Sequence, residues 1–271
     1  LEADETLTLS GALSHTADIT IDVAGDKIFT YSGTAINVGA NTITLSGGGS
    51  LVSGGMTLND EDSKLLLNSI TLDNASTSAN NSGIDVDANS TVTSLSVGHT
   101  TPVSIKANRT LSGSITVTAG SIKLGETGTL GSSVTMSGGT LEADNNLTLS
   151  GGLTQSGNIT IAVAQNKTLG YSGAAVNLGA KTLTMSGKGI FNNTNALVLN
   201  DAGSKLLLSN TTTVSSVSTS ADISGLGIDV DEDSTITSLA VGHTTPVSIA
   251  AGKTLSGGVT VTAGSIKLGE T

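Results

Sequence analysis

The chain has 271 residues, 35 of them glycine, with no Cys, no Trp, two Tyr and two Phe, which excludes disulfides, thiolate metal sites and a core built on aromatic packing. A net charge of −11 and a pI near 4.4 exclude the cationic surface that nucleic acid or anionic lipid requires. No stretch reaches the roughly 18 consecutive apolar residues of a membrane-spanning helix, so neither nucleic-acid binding nor membrane insertion is expected.

Only 12% of residues are charged, yet mean hydropathy is +0.19, because Leu, Ile, Val and Ala are spread thinly through Thr, Ser, Gly and Asn. That mixture suits a narrow core, one or two side chains wide. The first predicted strand, Thr6-Leu7-Thr8-Leu9, sets a pattern that recurs along the chain: apolar residues on one face, Thr, Ser or Asp on the other. Later apolar anchors fall at Phe29, Ile43, Leu65, Val92, Leu111 and Leu130, and Leu147 restarts the series, giving a mean spacing of 20 residues. Turns of Gly, Asn or Asp, often followed by Lys or Thr, separate them. No segment sustains a helical period, and Thr and Val favour strands.

Above this period lies a larger one. Leu1-Glu-Ala-Asp4 returns at Leu141-Glu-Ala-Asp144, an offset of 140, whereas Val97–Ile105 recurs unchanged at Val241–Ile249 and Thr116–Thr127 at Thr260–Thr271, an offset of 144. The second copy has therefore gained four residues, one near Gly187–Asn195 and three near Ser209–Gly225, both Ser/Asn/Gly-rich stretches that read as loops. The expected fold is all-β: a right-handed parallel β-helix (β-solenoid) of about 20 residues per coil. It comprises two tandem repeats of about 140 residues, 1–140 and 141–271, read as one continuous rod with an incomplete last coil. The competing antiparallel sandwich gives no reason for whole blocks of about 20 residues to repeat.

Ala40–Gly47, Ala180–Gly187 and Ser137–Glu142 carry the resemblance to a known class. They are similar to repeats of large bacterial surface β-helix proteins, the filamentous-haemagglutinin-like adhesins and autotransporter passenger domains. The resemblance implies an exported, elongated fibre or stalk on the cell surface, and it transfers no catalytic residue.

Neither terminus carries the atypical polar cap of a natural solenoid end. The expectation is a mature chain or excised segment continued at both ends, by covalent extension into further repeats or by end-to-end self-association.

The most site-like cluster is Asp85-Val86-Asp87-Ala88-Asn89, matched by Asp229-Val230-Asp231-Glu232-Asp233. Alternate oxygen-bearing side chains at Asp85, Asp87, Asn89, Asp229, Asp231 and Asp233 make them candidate Ca²⁺ ligands, although the glycine and distal Glu of an EF-hand loop are absent. The alternative is a solvated outer face beside buried Ile84 and Val86. His99 and His243 precede Pro102 and Pro246 in identical contexts and read as structural corners. Asn59–Asp62 reads as a turn, since its copy at Asn200–Gly203 has lost acidic residues. Nine Asn-x-Ser/Thr sequons, Asn74, Asn89, Asn108 and Asn166 among them, follow from so Asn/Ser/Thr-rich a composition.

Thr-x-Thr pairs, such as Thr42/Thr44, Thr91/Thr93, Thr116/Thr118 and their copies, resemble the ice-contacting ladders of β-solenoid antifreeze proteins if they stack on one face. A carbohydrate enzyme is disfavoured by the near-absence of aromatic sugar platforms and by the preserved repetition. The expected role is a non-enzymatic structural or adhesive extracellular fibre that needs no cofactor other than, at most, Ca²⁺ and meets a host surface or glycan. The alternatives are a polymerising subunit of an extracellular matrix and an ice-binding solenoid.

Overall fold

The computed structural model of the chain describes residues 1–225 and 227–269. It is a parallel β-solenoid of about 13 coils of roughly 21 residues, with no helix among the described residues. The last two residues of the second Thr260–Thr271 copy lie outside the described part. Two compact units are present, Leu1–Val134 and Thr135–Thr271.

In the first unit each coil presents three faces. Face one is a seven-strand parallel stack: Glu2–Ala3, Ile19–Val23, Thr42–Ser46, Lys64–Asn68, Gly83–Val86, Thr101–Ile105 and Ser121–Leu124. Face two runs through Leu7–Leu9, Ile28–Tyr31 and Ser50–Ser53, and face three through Ile36–Asn37 and Met56–Leu58. In the coils of Thr71–Thr77, Ser90–Val97 and Thr110–Val117 one long strand serves both of these faces, the first of them pairing with Ser50–Ser53 through its first half and with Met56–Leu58 through its second. At one of these corners the ladder carries a bulge. Ser90–Val97 pairs with Thr110–Val117 through Val92↔Gly113 and then Leu95↔Ile115, so one residue is extra. Gly113 sits there at φ 118°, and a Cβ on it would lie 1.8 Å from the Val92 carbonyl oxygen.

Registers on face one give the coil lengths directly. Partners are 20, 24, 22, 19, 19 and 21 residues apart in the first unit. The second unit, built the same way from Thr140–Ala143 to Ile266–Gly269, gives 20, 24, 23, 22, 19 and 21. The four inserted residues thus enter the third and fourth coils, one and three respectively, as the sequence indicates.

The anchor series mixes two faces. Leu7, Phe29, Val92, Leu111 and Leu130 lie on face two, whereas Ile43 and Leu65 lie on face one. All three faces share the same in-out alternation, so a series of first apolar residues crosses between them without notice.

Inward side chains stack coil upon coil. On face one Ile43 and Leu45, Leu65 and Leu67, Ile84 and Val86 form two aliphatic columns with no exposed surface. Burial of each such side chain stabilises by about 1.5–3 kcal/mol. The few aromatic residues are all interior, and in the second unit the rings of Tyr171 and Phe191 stack at 5.8 Å. The Tyr171 hydroxyl donates to the Ala174 carbonyl at 2.6 Å and accepts the Leu153 N–H at 3.1 Å. Burial raises its pKa above the ordinary tyrosine value, the Leu153 hydrogen bond opposing the shift.

Candidate functional site

The acidic segments sit where face one gives way to the turn toward face two. Asp85 points outward from Gly83–Val86, with Leu66 beside it on the preceding coil and Ser104 on the following one. Its Oδ2 meets Lys64 Nζ at 2.5 Å. Asp87 is paired with a different lysine, Lys106, at 2.8 Å. Asn89 uses its Oδ1 to accept the backbone N–H of Thr110, one coil further on, at 3.0 Å.

The second unit repeats the arrangement with changes. Asp229 pairs with Lys205 at 2.8 Å and is buried, its Oδ1 without a hydrogen-bond partner. Asp231 is exposed, and its backbone N–H is held by the Leu208 carbonyl. Glu232 pairs with Lys253 at 2.5 Å, and Asp233 Oδ1 accepts the N–H of Thr254 at 2.8 Å.

These geometries set the electrostatics. The Lys64 pKa is raised above the ordinary lysine value, first by its hydrogen bond to Asp85, then by the attraction of the same carboxylate and more weakly of Asp87, against partial desolvation. Lys253 is raised by its hydrogen bond and attraction to Glu232.

Six to eight oxygens must converge to hold Ca²⁺. Here Asp85 and Asp87 diverge toward separate ammonium groups, and Asn89 and Asp233 are committed to backbone donors. Among the described residues no group of three or more His, Cys, Asp or Glu comes together as a metal site. A cation at Asp85, Asp87 and Asn89 would compete with two lysines and one hydrogen bond that joins coils, and one at Asp229, Asp231 and Asp233 with Lys205 and the Thr254 contact.

The contact made by Asn89 belongs to a device that sequence inspection missed. Asp18 accepts from Thr42, Asn80 from Thr100, Asn146 from Thr168, Asn158 from Thr182 and Asp222 from Thr244, all at 2.7–3.0 Å. Each acceptor lies 20–24 residues before a threonine at or next to the start of a strand. The side chain takes up a backbone donor at the corner, where the ladder of the previous strand has not yet begun. An Asn or Asp one coil ahead of a strand-opening Thr is the signal that could have revealed it. Four of the sequons, Asn80, Asn89, Asn146 and Asn158, are such acceptors. Asn108 and Asn166 instead occupy left-handed turn positions at φ 59° and 61°.

His99 and His243 lie in exposed corners, their carbonyl oxygens accepting the hydroxyls of Thr101 and Thr245 at 3.1 and 3.0 Å. The strands Thr101–Ile105 and Thr245–Ile249 begin immediately afterwards. Asn59 accepts the N–H of Gly39 at 2.9 Å and Asn200 that of Gly179 at 2.8 Å, and the Ser63 and Ser204 N–H groups close turns onto the Asp60 and Asp201 carbonyls at 3.0 Å.

The Thr-x-Thr pairs do not converge. Thr42 and Thr44 lie on face one, next to Lys64 and Leu66 of the following coil. Thr91 lies on face two between Thr71 and Ser112, and Thr116 on face three beside Ser96. No family of proteins, curated relative or solved structure matches the chain. Its fold is that of β-helix repeat proteins in general.

Proposed function

We propose that the chain is a non-enzymatic structural and adhesive segment of an extracellular fibre, a rigid stalk or filament on a bacterial cell surface. Its repeats resemble in character those of the filamentous-haemagglutinin-like adhesins and autotransporter passengers. The observation that supports this most is how the polar residues are used. The side chains that stand out in sequence as a site bind neighbouring coils to one another, through lysine–carboxylate pairs and Asn/Asp–Thr contacts spaced 19–24 residues apart. A chain whose ionisable groups serve its own stacking is suited to length and stiffness. Its partners are then further repeats at its ends, by covalent continuation or end-to-end self-association, and a host surface or glycan along its sides. The division of the Thr-x-Thr pairs among three faces disfavours the ice-binding alternative.

Electron microscopy of bacteria displaying the chain, combined with adhesion to arrayed glycans and host cells, tests the reading. Thin projections and saturable adhesion are expected. Compact particles with no adhesion to any surface overturn it.

A further inference from the structure

Where face one turns into face two in the first unit, the surface is concave. Thr71, Thr91 and Ser112 are outward partners on three successive strands, and with Ser69 and Asn89 they line a pocket of about 180 Å³. Gly48, Ile70 and Ser90 complete the lining, and none of the eight residues is ionisable. Ser90 is buried, its hydroxyl accepting the Ile70 N–H at 3.3 Å and donating to the Ala88 carbonyl at 3.0 Å, so this part of the wall is fixed. Asn89 is oriented by the Thr110 N–H on its Oδ1, which leaves its Nδ2 as a donor. Among the described residues the hydroxyls of Ser69, Thr71, Thr91 and Ser112 have no partner. The second unit supplies an internal contrast. Its hydroxyl column persists as Thr213, Thr235 and Ser256. Lys188, however, stands where Gly48 does, three residues ahead of Phe191 as Gly48 is of Leu51, and Asp233 replaces Asn89. The outward hydroxyls are common to both copies, whereas the uncharged corner belongs to the first.

We infer that this corner of the first unit binds one ring of a neutral saccharide. A pocket with no charged group has nothing to pair with a carboxylate, sulfate or phosphate, and an anionic or cationic ligand would lose its hydration there without return. A sugar ring offers what the lining lacks, several hydroxyls that each donate and accept. The protein hydroxyls stand on stacked strands about 4.8 Å apart, so they are held in place before the ligand arrives and little ordering remains to be done on binding. The volume lies below the ~300–1,000 Å³ of pockets that enclose a drug-sized ligand. One ring therefore enters and the rest of a glycan runs along the outside of the coils. With no aromatic platform in the lining, a single site binds in roughly the millimolar range. This inference gives the glycan partner of the fibre reading a place on the molecule, and rests on that reading for its biological sense.

The isotope-labelled full chain is titrated with the methyl glycosides of glucose, galactose, mannose and N-acetylglucosamine and followed by amide NMR. At least one glycoside should give saturable shifts at Ile70, Thr71, Thr91 and Ser112 and at the Asn89 side-chain amide, and none at Thr213, Thr235 and Ser256. Glycerol, which offers hydroxyls without a ring, should give no saturable shift. Gly48→Lys copies the second unit into the first. A Cβ at Gly48 meets nothing closer than 3.6 Å, and Lys188 holds a φ of 66° at the matching position, so the variant should fold and lose binding by about tenfold or more. Thr91→Val removes one hydroxyl at nearly constant shape and should weaken binding about fivefold. Absence of saturable shifts with all four glycosides, equal shifts in both units, or equal shifts with glycerol overturns the inference. So does binding that neither variant changes. Such a failure leaves the fibre reading to be decided by microscopy and adhesion, and compact, non-adhesive particles in those assays leave monovalent binding at this corner as measured.

Discussion

Asn89 Oδ1 accepts the backbone N–H of Thr110 at 3.0 Å, joining two successive coils at a corner, and Asp233 does the same for Thr254 at 2.8 Å. Substitution of Asn89 by Ala removes the acceptor and leaves a backbone donor to solvent. The expected cost is about 1 kcal/mol of unfolding free energy. Asn89→Asp, which imitates the second copy, should retain most of that contribution. Chemical denaturation checks the energies. Hydrogen exchange at the Thr110 amide, accelerated by Ala and not by Asp, ties the effect to this contact.

Gly113 is fixed by backbone geometry rather than by packing. At φ 118°, with a hypothetical Cβ 1.8 Å from the Val92 carbonyl oxygen, alanine fits neither the conformation nor the space. Gly113→Ala should cost more than about 2 kcal/mol. Gly55, also at positive φ (127°) but with open space around it, should lose less on the same change. Thermal melts of the two variants side by side make the comparison.

Leu65 has no exposed surface and stands between Ile43 and Ile84 in the face-one column. Leu65→Ala should cost about 2–5 kcal/mol through lost burial and the cavity left behind. Leu66→Ala, one residue on and directed outward, should be much milder, and urea denaturation of both variants reads the difference.

How far such effects can be foreseen from sequence is uneven. Alternation at Ile43, Leu45, Leu65 and Leu67 assigns inside and outside correctly, and repeat offsets place the insertions in the third and fourth coils. Alternation says nothing about which of three faces a strand occupies, which is why Phe29 and Ile43 fall into one series despite lying on different faces. Lys64–Asp85 and Asn89–Thr110 escape notice for a related reason. Each joins residues 21 positions apart, and a coil length varying from 19 to 24 hides the partner until the register is known. The lysine and backbone partners of Asp85, Asp87 and Asn89 come into view only with the neighbouring coils.

Alkaline pH should destabilise the fold. Lys64 and Tyr171 both have pKa values raised on folding, Lys64 by its hydrogen bond to Asp85 and Tyr171 by burial. The folded state therefore holds these protons more tightly than the unfolded chain. The resulting stability is fully present below the unfolded values, about 10 for Tyr and 10.4 for Lys, and is lost as pH rises through the folded ones. Melting temperature should be level near pH 8–9 and fall above about pH 10. Tyr171→Phe should reduce the slope of that fall, whereas Asp85→Asn should return the Lys64 pKa toward its ordinary value by NMR. Because Lys64 is largely exposed, its share of the stability is small.

Calcium should leave stability unchanged. With Asp85 and Asp87 on separate lysines and Asn89 and Asp233 on backbone donors, millimolar Ca²⁺ and EDTA should give superimposable thermal melts. A saturable rise in melting temperature, abolished by Asp85→Asn or by Asp229→Asn, would place a cation site at the corresponding segment.

Parallel stacking of successive coils is the claim on which everything else depends, and the absence of native cysteine makes it directly measurable. Thr71 and Thr91 are paired across adjacent strands of face two, both directed outward. Strand neighbours lie about 4.8 Å apart, within the Cα range of a disulfide. Thr71→Cys with Thr91→Cys should cross-link rapidly under mild oxidation. Thr71→Cys paired with Val92→Cys, whose side chain faces the interior, should not. Efficient cross-linking of the mismatched pair, or none in the matched one, would contradict the solenoid register.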